Sequence, residues 1–534
     1  MKLNRTALTQ SAALTDYVLP QYDVARVTEK TAAAPAWLHF GTGNIFRAFP
    51  AVLCQTLLNQ GLTETGIVCC EGYDEEIITR CMRPFDNLSL IVTLCANGKM
   101  EKELVASVTE SLALSTDEDR VREIFKNPSL QMVSFTITEK GYSLRGADRE
   151  LLPAIRNDLE RGPEHCTMFL PRLVSYCLTR GKACGKPLAL VSMDNCSHNG
   201  EKLKLAVFEI LDAWKEKGYL EEGAYEYVQN HLSFPWSMID KITPRPHESV
   251  QRALEADGWE DMAPFVTSKN TYIAPFVNAE KPQYLVIEDD FPNGRPCLEK
   301  AGVMFTSRET VNAVEKMKVC TCLNPLHTSL AVFGCLLGYQ SIAAEMKDED
   351  LVGLIEKMSA HEGLPVVVDP GIIDPRAFLQ EVLKERFPNP FIPDTPQRIA
   401  TDTSQKLSIR FGEDIKLHLA RGTAHSLVLM PLVFAGWLRY LKGVDDQGNA
   451  FACSSDPLLN KLQPGMQAIA EGAVVSAEDL EPTLSDLRIW GVDLQAAGLK
   501  ERVVQYFNEF NAGPGAVRQT LHKYVTACYP NEPS

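Results

Sequence analysis

The feature that most constrains this chain is a short glycine turn between an apolar strand and a helix. The apolar run 36–40 is followed at once by Gly41-Thr42-Gly43, and apolar residues then recur from Phe46 to Leu58 at helical spacing. Glycine is needed where a dinucleotide pyrophosphate approaches the amides of a helix start, because a Cβ would hold the phosphate away. The usual third glycine is replaced by Phe46, so a turn without a ligand also explains the pattern.

An acidic residue at the end of the next strand favours the dinucleotide interpretation. The apolar run 66–70 predicts that strand, Glu71 follows it directly, and Asp74 is a second candidate. A carboxylate at this place accepts hydrogen bonds from the adenosine ribose and would repel the additional phosphate of NADP. We therefore expect NAD as the cofactor, with NADP less favoured.

Strand and helix patterns divide the chain into two regions. Up to about residue 300, β-like runs alternate with helical stretches, which predicts a Rossmann-like doubly wound sheet with an antiparallel hairpin at Asn97-Gly98. Beyond the Pro- and Gly-rich segment 291–296, helical patterns dominate. We expect an α/β fold, with a dinucleotide-binding domain at 1–298, a mostly α-helical substrate and catalytic domain at 299–534, and the site in a cleft between them.

Composition excludes several classes of function. Lys and Arg total 53 against 69 Asp and Glu, which gives a net charge of −16, so phosphate backbones and anionic membrane surfaces would repel the chain. The 15 cysteines lie in apolar stretches and form no CxxC pair, which indicates reduced thiols and no metal site. No stretch is apolar for long enough to predict a membrane span. We expect a cytoplasmic enzyme with no nucleic-acid or membrane partner.

Lys318 and the segment Asn324-Pro325-Leu326-His327 carry residue types that suit alcohol oxidation. Asparagine before proline predicts a helix start, with Asn324 as the N-cap and His327 in the first turn. Oxidation of a secondary alcohol needs a base for the hydroxyl proton, and a partly desolvated lysine can be that base. An amide can stabilise the alkoxide, and an imidazole can hold a neighbouring hydroxyl. An ordinary helix cap explains Asn324 and His327 as well.

Two other polar segments are candidates for the same site. Asp194-Asn195 follows the apolar run 188–192, at the edge where open parallel sheets bind their ligands. Arg398 and Lys406 are cations in an acidic chain that would bind the oxygens of a polar substrate. Plain turn chemistry also explains the first segment, and a solvated helix end explains the second.

Taken together, these motifs resemble the mannitol dehydrogenase family, the polyol-specific long-chain dehydrogenases, over nearly the whole chain. The matching segments follow one another in the order of the family: 38–48 with its GxGxFxRA-like opening, 138–142, 194–200, 238–244, 286–289, the Lys318 to His327 segment, and the Arg398 and Lys406 pair. The resemblance implies an enzyme that needs no metal, uses NAD or NADP, and transfers hydride to or from an open-chain sugar acid or polyol.

The resemblance also implies a role for each matching residue. Lys318 would be the general acid and base, Asn195 and Asn324 would stabilise the oxyanion, and His327 would orient the substrate. The substrate's oxygens would be bound by Arg398, Lys406 and Asp240. The cofactor would contact Gly41, Gly43, Asn44, Ile45, Phe46, Arg47, Glu71 and Asp74.

One spacing departs from the family pattern. Five residues separate Lys318 from Asn324, where the family usually has four. A local bulge must absorb the additional residue if Lys318 is to keep the orientation that the family gives it. Lys316 is the nearest alternative base, although its spacing departs further.

The substrate is predicted less directly than the reaction. We expect reduction of fructuronate to mannonate, because Arg245 and His247 beside the segment 242–244 add capacity for an anionic substrate. A mannitol 2-dehydrogenase, acting on mannitol and fructose, is the alternative, and tagaturonate reduction comes third. A non-catalytic NAD-binding sensor is a hypothesis of a different class, which the additional residue before Asn324 permits. We expect a monomer or a small homo-oligomer.

Overall fold

In the computed structural model, which describes residues 1–146 and 148–529, the chain forms two compact units, Met1–Asn312 and Ala313–Ser534. The boundary lies beyond the Pro- and Gly-rich segment. After that segment the chain returns to the first unit, because strand Met304–Thr306 pairs in parallel with strand Tyr284–Glu288. The boundary expected at residue 298 therefore lies inside the first unit.

A six-stranded parallel sheet organises the first unit. In chain order its strands are Trp37–Phe40, Ile67–Glu71, Val108–Ala113, Met132–Phe135, Leu188–Ser192 and Leu232–Ser233. Across the sheet they lie in the order three, two, one, four, five, six, and every neighbouring pair is parallel. This is the strand order of the doubly wound dinucleotide-binding fold, so the predicted fold is confirmed. The order reverses between the first and fourth strands, which places the topological switch point beside Gly41.

Both faces of this sheet are buried. Successive residues of a strand point to opposite faces, and Ile67 and Cys69 join one apolar core whereas Val68 and Cys70 join the other. Burial on both faces is the reason that the strand is a continuous apolar run rather than an alternating one. The two cysteines act here as small apolar side chains, and all 15 cysteines of the chain are free thiols.

Helices and three smaller sheets complete the first unit. Its α-helices are Val24–Ala33, Asn44–Ala48, Pro50–Asn59, Glu118–Lys126, Pro153–Arg161, Phe169–Ala183, Asn199–Glu216, Ala224–His231 and Glu248–Ala256. The smaller sheets are, in spatial order, Tyr17–Val18, Met100–Val105, Ser89–Leu94 and Phe276–Ala279; then Ser237–Asp240, Tyr284–Glu288 and Met304–Thr306; and the pair Phe265–Val266 and Tyr272–Ile273. The antiparallel pairing of Ser89–Leu94 with Met100–Val105 confirms the hairpin predicted at Asn97-Gly98.

Among the described residues of the second unit, the regular secondary structure is helical, and loops and turns connect the helices. The helix Arg308–Lys316 enters it, and its α-helices are Asn324–Leu336, Ile342–Glu345, Glu349–Met358, Pro375–Glu381, Pro396–Ile399, Thr403–Leu407, Glu413–Ala420, Leu429–Tyr440, Leu459–Ala468, Glu481–Leu484, Leu487–Trp490, Lys500–Phe510 and Ala516–Ala527. Four π-helical turns interrupt or extend them: Met317–Cys322, Ser359–Gly363, Val382–Arg386 and Ser408–Gly412.

One helical stretch, Arg308–Leu336, is long and apolar enough by composition to cross a membrane, with a mean hydropathy of 1.4. However, 83% of its apolar window is buried inside the protein. The core helix of a folded domain has the same length and composition, so this stretch is weak evidence for a membrane span.

A buried carboxylate caps the fully buried helix Leu429–Tyr440. Every residue of this helix is buried, so water cannot satisfy the amides at its start. Glu362 instead accepts hydrogen bonds from the three backbone amides of residues 428–430, at 2.6–2.7 Å. The Tyr529 hydroxyl donates a further hydrogen bond to Glu362 at 2.8 Å. The carboxylate also faces the positive end of the helix dipole.

Replacing this cap tests its contribution to stability. Glu362→Ala leaves three buried amides without an acceptor, and each such group costs about 1–3 kcal/mol. We expect the free energy of unfolding to fall by about 3 kcal/mol or more, measured as a lower urea midpoint. The control is Glu356→Ala at an exposed position of helix Glu349–Met358, which should stay within about 0.5 kcal/mol of the wild type. Equal midpoints for the two variants would contradict the capping role.

Candidate functional site

The glycine turn leaves the sheet at the switch point, in close contact with the neighbouring strand. Gly41 has φ +98°, and a Cβ at this position would lie 2.2 Å from the carbonyl oxygen of Thr136. Only glycine fits this conformation and this approach. The Gly41 amide donates to the Cys70 carbonyl at 2.9 Å, and the Thr136 hydroxyl donates to the Gly41 carbonyl at 3.2 Å. The turn is therefore held between the two strands on either side of it.

Gly43 has a different role in the same turn. It is the N-cap of helix Asn44–Ala48, its backbone is extended, and no side chain caps the helix. No atom lies within 4 Å of the place where a Cβ would be. This open space beside uncapped amides fits the pyrophosphate of a dinucleotide, which a side chain at Gly43 would displace.

Two residues that were expected to contact the cofactor have fully buried side chains. Phe46 stacks on His39 with 4.2 Å between the ring centroids, and Arg47 donates to the Ser89 hydroxyl and the Ala274 carbonyl. These side chains hold the helix in place and do not reach the surface, so only their backbone can face a cofactor. The neighbouring side chains of Asn44 and Ile45 are half-buried.

The structure brings one predicted ribose acid, Glu71, to the glycine turn and places the other, Asp74, beside Thr267. One oxygen of Glu71 accepts from the amide and hydroxyl of Thr42, at 2.9 and 3.1 Å, and the other accepts from the amides of residues 72–74. Asp74 is 4% exposed and accepts from the Thr267 hydroxyl at 2.6 Å, while its second oxygen has no hydrogen-bond partner among the described residues. The binding of the cofactor ribose by these two carboxylates stays a prediction.

Asn195 lies at the carboxyl end of strand Leu188–Ser192, where its exposed side chain follows a buried carboxylate. Asp194 accepts hydrogen bonds from two amides of the loop 137–138, at 2.9 and 2.8 Å, and from the Tyr142 hydroxyl at 2.5 Å. Burial raises the pKa of Asp194. Asp194 therefore ties the ends of two adjacent strands together and positions Asn195 at the ligand edge of the sheet.

Asp240, unlike the exposed Asn195, has a buried side chain. It is 5% exposed, in strand Ser237–Asp240 of the three-stranded sheet. The role of its carboxylate in binding substrate stays a prediction. In the same region Asn199 is fully buried and donates to both the carbonyl and the hydroxyl of Ser237 at 3.0 Å, so this motif residue is structural.

In the second unit, Lys318 lies in the π-helical turn Met317–Cys322. The Leu323 amide donates to the Lys318 carbonyl at 3.1 Å, five residues back instead of four. Such a turn accommodates one additional residue in a helix, and π-turns are frequent at functional sites. The additional residue between Lys318 and Asn324 is thus absorbed by a local bulge. Lys318 is 5% exposed.

Asn324 is the first residue of helix Asn324–Leu336 and not its N-cap. The N-cap position belongs to Leu323, so the predicted capping role of Asn324 is wrong. The physical reason is that the chain runs from the π-turn into this helix without an intervening loop, so the start needs no capping side chain. The half-buried amide of Asn324 is therefore not used as a cap.

His327 follows one turn later and is held as a neutral imidazole. Its Nε2 lies 3.4 Å from a carboxylate oxygen of Asp394, and its ring lies 5.1 Å from that of Phe387. Its pKa is lowered to about 3, mainly by burial and to a smaller extent by four nearby positive charges. These charges belong to Arg410, Arg398, Arg386 and Lys406. At neutral pH the ring therefore has one donor and one acceptor nitrogen.

The predicted substrate-binding cations join this group. Arg398 forms an ion pair with Asp394, and Lys406 donates to the Thr401 carbonyl. Burial, with the charge of Arg410, lowers the pKa of Lys406. Neither Arg410 nor the contact of Asp394 with His327 was predicted from the sequence. The four-residue spacing from Lys406 to Arg410 on a helical stretch was the signal that would have found Arg410.

Comparison with known proteins defines the class and then the family. Family models described as the mannitol dehydrogenase Rossmann domain and the mannitol dehydrogenase C-terminal domain match residues 35–300 and 310–511. D-mannonate oxidoreductase of Thermotoga maritima is 48% identical over 98% of this chain and 99% of its own length. Mannitol 2-dehydrogenase of Cereibacter sphaeroides is 30% identical over 80% of this chain and 84% of its own.

Solved structures agree with these relatives. Mannitol 2-dehydrogenase of Pseudomonas fluorescens, in a ternary complex with NAD and D-mannitol, is 26% identical with a TM-score of 0.70, over 99% of this chain and 100% of that chain. A D-sorbitol dehydrogenase in substrate-free form shares the fold, with a TM-score of 0.77 at 23% identity, over 94% of this chain and 100% of its own. The protein is therefore an oxidoreductase with a dinucleotide-binding fold. It belongs to the mannitol dehydrogenase family, as its motifs predicted.

The two glycines of the turn should respond differently to the same substitution. Gly41→Ala places a Cβ against the Thr136 carbonyl in an unfavourable backbone conformation, so we expect about 3 kcal/mol or more of lost stability. Gly43→Ala fills open space in an allowed conformation, so stability should stay within about 0.5 kcal/mol. The same variant should weaken NADH binding, measured by fluorescence titration, by about tenfold or more. Unchanged NADH affinity in Gly43→Ala would argue against the pyrophosphate site.

Proposed function

We propose that this protein is an NAD-dependent D-mannonate oxidoreductase, which interconverts D-mannonate and D-fructuronate. The observation that carries the proposal is the 48% identity to a D-mannonate oxidoreductase over nearly the full length of both chains. The group of cations around His327 supports it, because a sugar acid brings a carboxylate to a region that is rich in positive charge.

The first unit supports NAD as the cofactor. The open space at Gly43 suits the pyrophosphate, and Glu71 and Asp74 suit a ribose without a phosphate. The ternary complex of the Pseudomonas fluorescens relative contains NAD. A bound NAD would supply the hydride acceptor for oxidation of the carbinol carbon, and NADH would supply the hydride for the reverse reaction.

The proton chemistry is assigned to side chains of this chain. We propose that Lys318 takes the proton of the reacting hydroxyl, and that Asn195 and Asn324 donate hydrogen bonds to the developing oxyanion. Neutral His327 would hold a neighbouring hydroxyl through Nε2, which lies 3.4 Å from an Asp394 oxygen and has no hydrogen-bond partner among the described residues. Arg398, Lys406 and Asp240 would bind the remaining substrate oxygens. No metal ion is needed for these roles.

Mannitol oxidation is the second candidate function. The full-length similarity to a mannitol 2-dehydrogenase structure that contains D-mannitol supports it. The hypothesis of a non-catalytic sensor loses its one supporting feature, because the π-turn Met317–Cys322 accommodates the additional residue before Asn324. Tagaturonate reduction has no observation in its favour beyond the family.

We further propose that the enzyme works in the cytoplasm on small molecules alone, as a monomer or a small homo-oligomer. All 15 cysteines are free, which suits a reducing compartment. The net charge of −16 disfavours nucleic acids and anionic membranes as partners.

The absorbance of the reduced nicotinamide tests the substrate and the cofactor together. We expect the fastest turnover with D-mannonate and NAD, and with D-fructuronate and NADH in reverse. D-mannitol, D-fructose, D-tagaturonate and D-altronate form the comparison panel, each with both cofactors. Faster turnover of mannitol than of mannonate would establish the second candidate instead, and no response to any of them would favour the sensor.

Replacing the proposed base separates chemistry from binding. Lys318→Ala should lower kcat by about 10²–10⁴-fold, the usual contribution of general acid–base catalysis, while NADH affinity stays the same. Lys316→Ala is the matched control, since Lys316 is exposed two residues earlier and should be dispensable. If Lys316→Ala lost turnover and Lys318→Ala kept it, the assignment of the base would be reversed.

A further inference from the structure

We propose that Arg410 binds the carboxylate of the substrate and thereby selects sugar acids over neutral polyols. The proposal rests on the proposed function, because it needs a substrate that carries a carboxylate. It names a residue that the motifs of the sequence did not identify.

The position of Arg410 ties it to the helix that carries the proposed catalytic groups. It lies in the π-helical turn Ser408–Gly412, and its Nη1 donates to the Thr328 hydroxyl at 2.5 Å. The Thr328 hydroxyl donates in turn to the Asn324 carbonyl at 2.9 Å. Arg410 is thus linked through one side chain to the turn of helix that contains Asn324 and His327.

Arg410 is a half-buried cation beside a neutral hydroxyl, that of Thr328. Among the described residues, no Asp or Glu forms an ion pair with it, whereas Arg518, which is also half-buried, pairs with both Asp348 and Asp350. Burial lowers the pKa of Arg410 to about 10, so its guanidinium still carries its charge at neutral pH. A partly desolvated charge with no partner is costly, and an anionic ligand would remove that cost.

Two other cations nearby differ from Arg410. Arg398 is paired with Asp394 and its side chain is 62% exposed, and Lys406, which donates to the neutral Thr401 carbonyl, carries a compact ammonium group rather than a planar fork of donors. Arg410 uses one nitrogen for Thr328, and the planar guanidinium has further N–H groups that match the two oxygens of a carboxylate. A polyol hydroxyl would accept from one of these groups but would leave the charge unmatched. Arg410 should therefore favour substrates that carry a carboxylate over neutral polyols.

The test compares acid and neutral substrates in variants of Arg410. Arg410→Met should lower kcat/KM for D-mannonate by about 100-fold, mainly through KM, with D-mannitol turnover and NADH affinity unchanged. Arg410→Lys keeps the charge and loses the bidentate geometry, so it should recover part of the loss. Lys416→Met, at an exposed position of helix Glu413–Ala420, is the matched control and should equal the wild type for both substrates.

Binding and rescue measurements complete the test. Calorimetry with the NADH-bound enzyme should show weaker binding of D-mannonate to Arg410→Met, and added guanidinium should restore acid turnover to Arg410→Ala. Equal loss of D-mannonate and D-mannitol turnover, without rescue, would show that Arg410 only supports the helix and would overturn the proposal. Unchanged D-mannonate affinity would overturn it as well.

The proposed function can fail separately. A wild-type enzyme that turns over mannitol and neither binds nor reduces sugar acids would refute the assignment to mannonate, before any variant is made. A wild-type enzyme that is active on D-mannonate, with Arg410→Met equally active, would refute only the role of Arg410.

Discussion

The first unit depends on the approach of two backbones at the switch point of its sheet. Gly41 turns out of the first strand so close to the Thr136 carbonyl that any side chain would overlap with it. The surrounding polar groups secure the same contact, since buried His39 lies 2.9 Å from the Thr136 hydroxyl through Nε2 and 2.6 Å from that of Ser134 through Nδ1. Burial lowers the pKa of His39 to about 3, so the network is uncharged at neutral pH. These contacts hold the turn in place, and they leave open space beside Gly43.

In the second unit, irregular helical turns fix the positions of the candidate site residues. Lys318 and Arg410 both lie in π-turns, where one additional residue changes the direction in which the following side chains point. His327, which lies between these two residues in the sequence, is kept neutral by burial and by the surrounding positive charge. The unit concentrates cations in this place although the chain as a whole carries a charge of −16. A negatively charged substrate suits such a local excess, even in an acidic protein.

Several features were predictable because they depend on neighbours in the chain. The strand Leu188–Ser192, the antiparallel hairpin at Asn97-Gly98 and the doubly wound sheet follow from apolar runs and turn residues. The N-cap at Asn324 was predicted wrongly, because the continuity of the π-turn with the following helix is not visible in a local pattern. The burial of the Phe46 and Arg47 side chains was not predictable, since a motif shows which residues recur and not which way they face, and their contact with the cofactor stays a prediction.

The sequence by itself determined the class of fold, the glycine turn with its acids, and the family, because these are written in residue types at short spacings. Only the tertiary structure decided that Glu71 is hydrogen-bonded to Thr42, that Glu362 caps a helix 66 residues further along the chain, and that Arg410 lies beside Thr328 with no ion-pair partner among the described residues. Each of these depends on contacts between segments far apart in the chain. Such contacts set burial and charge pairing, and those in turn decide which side chains remain available for a ligand.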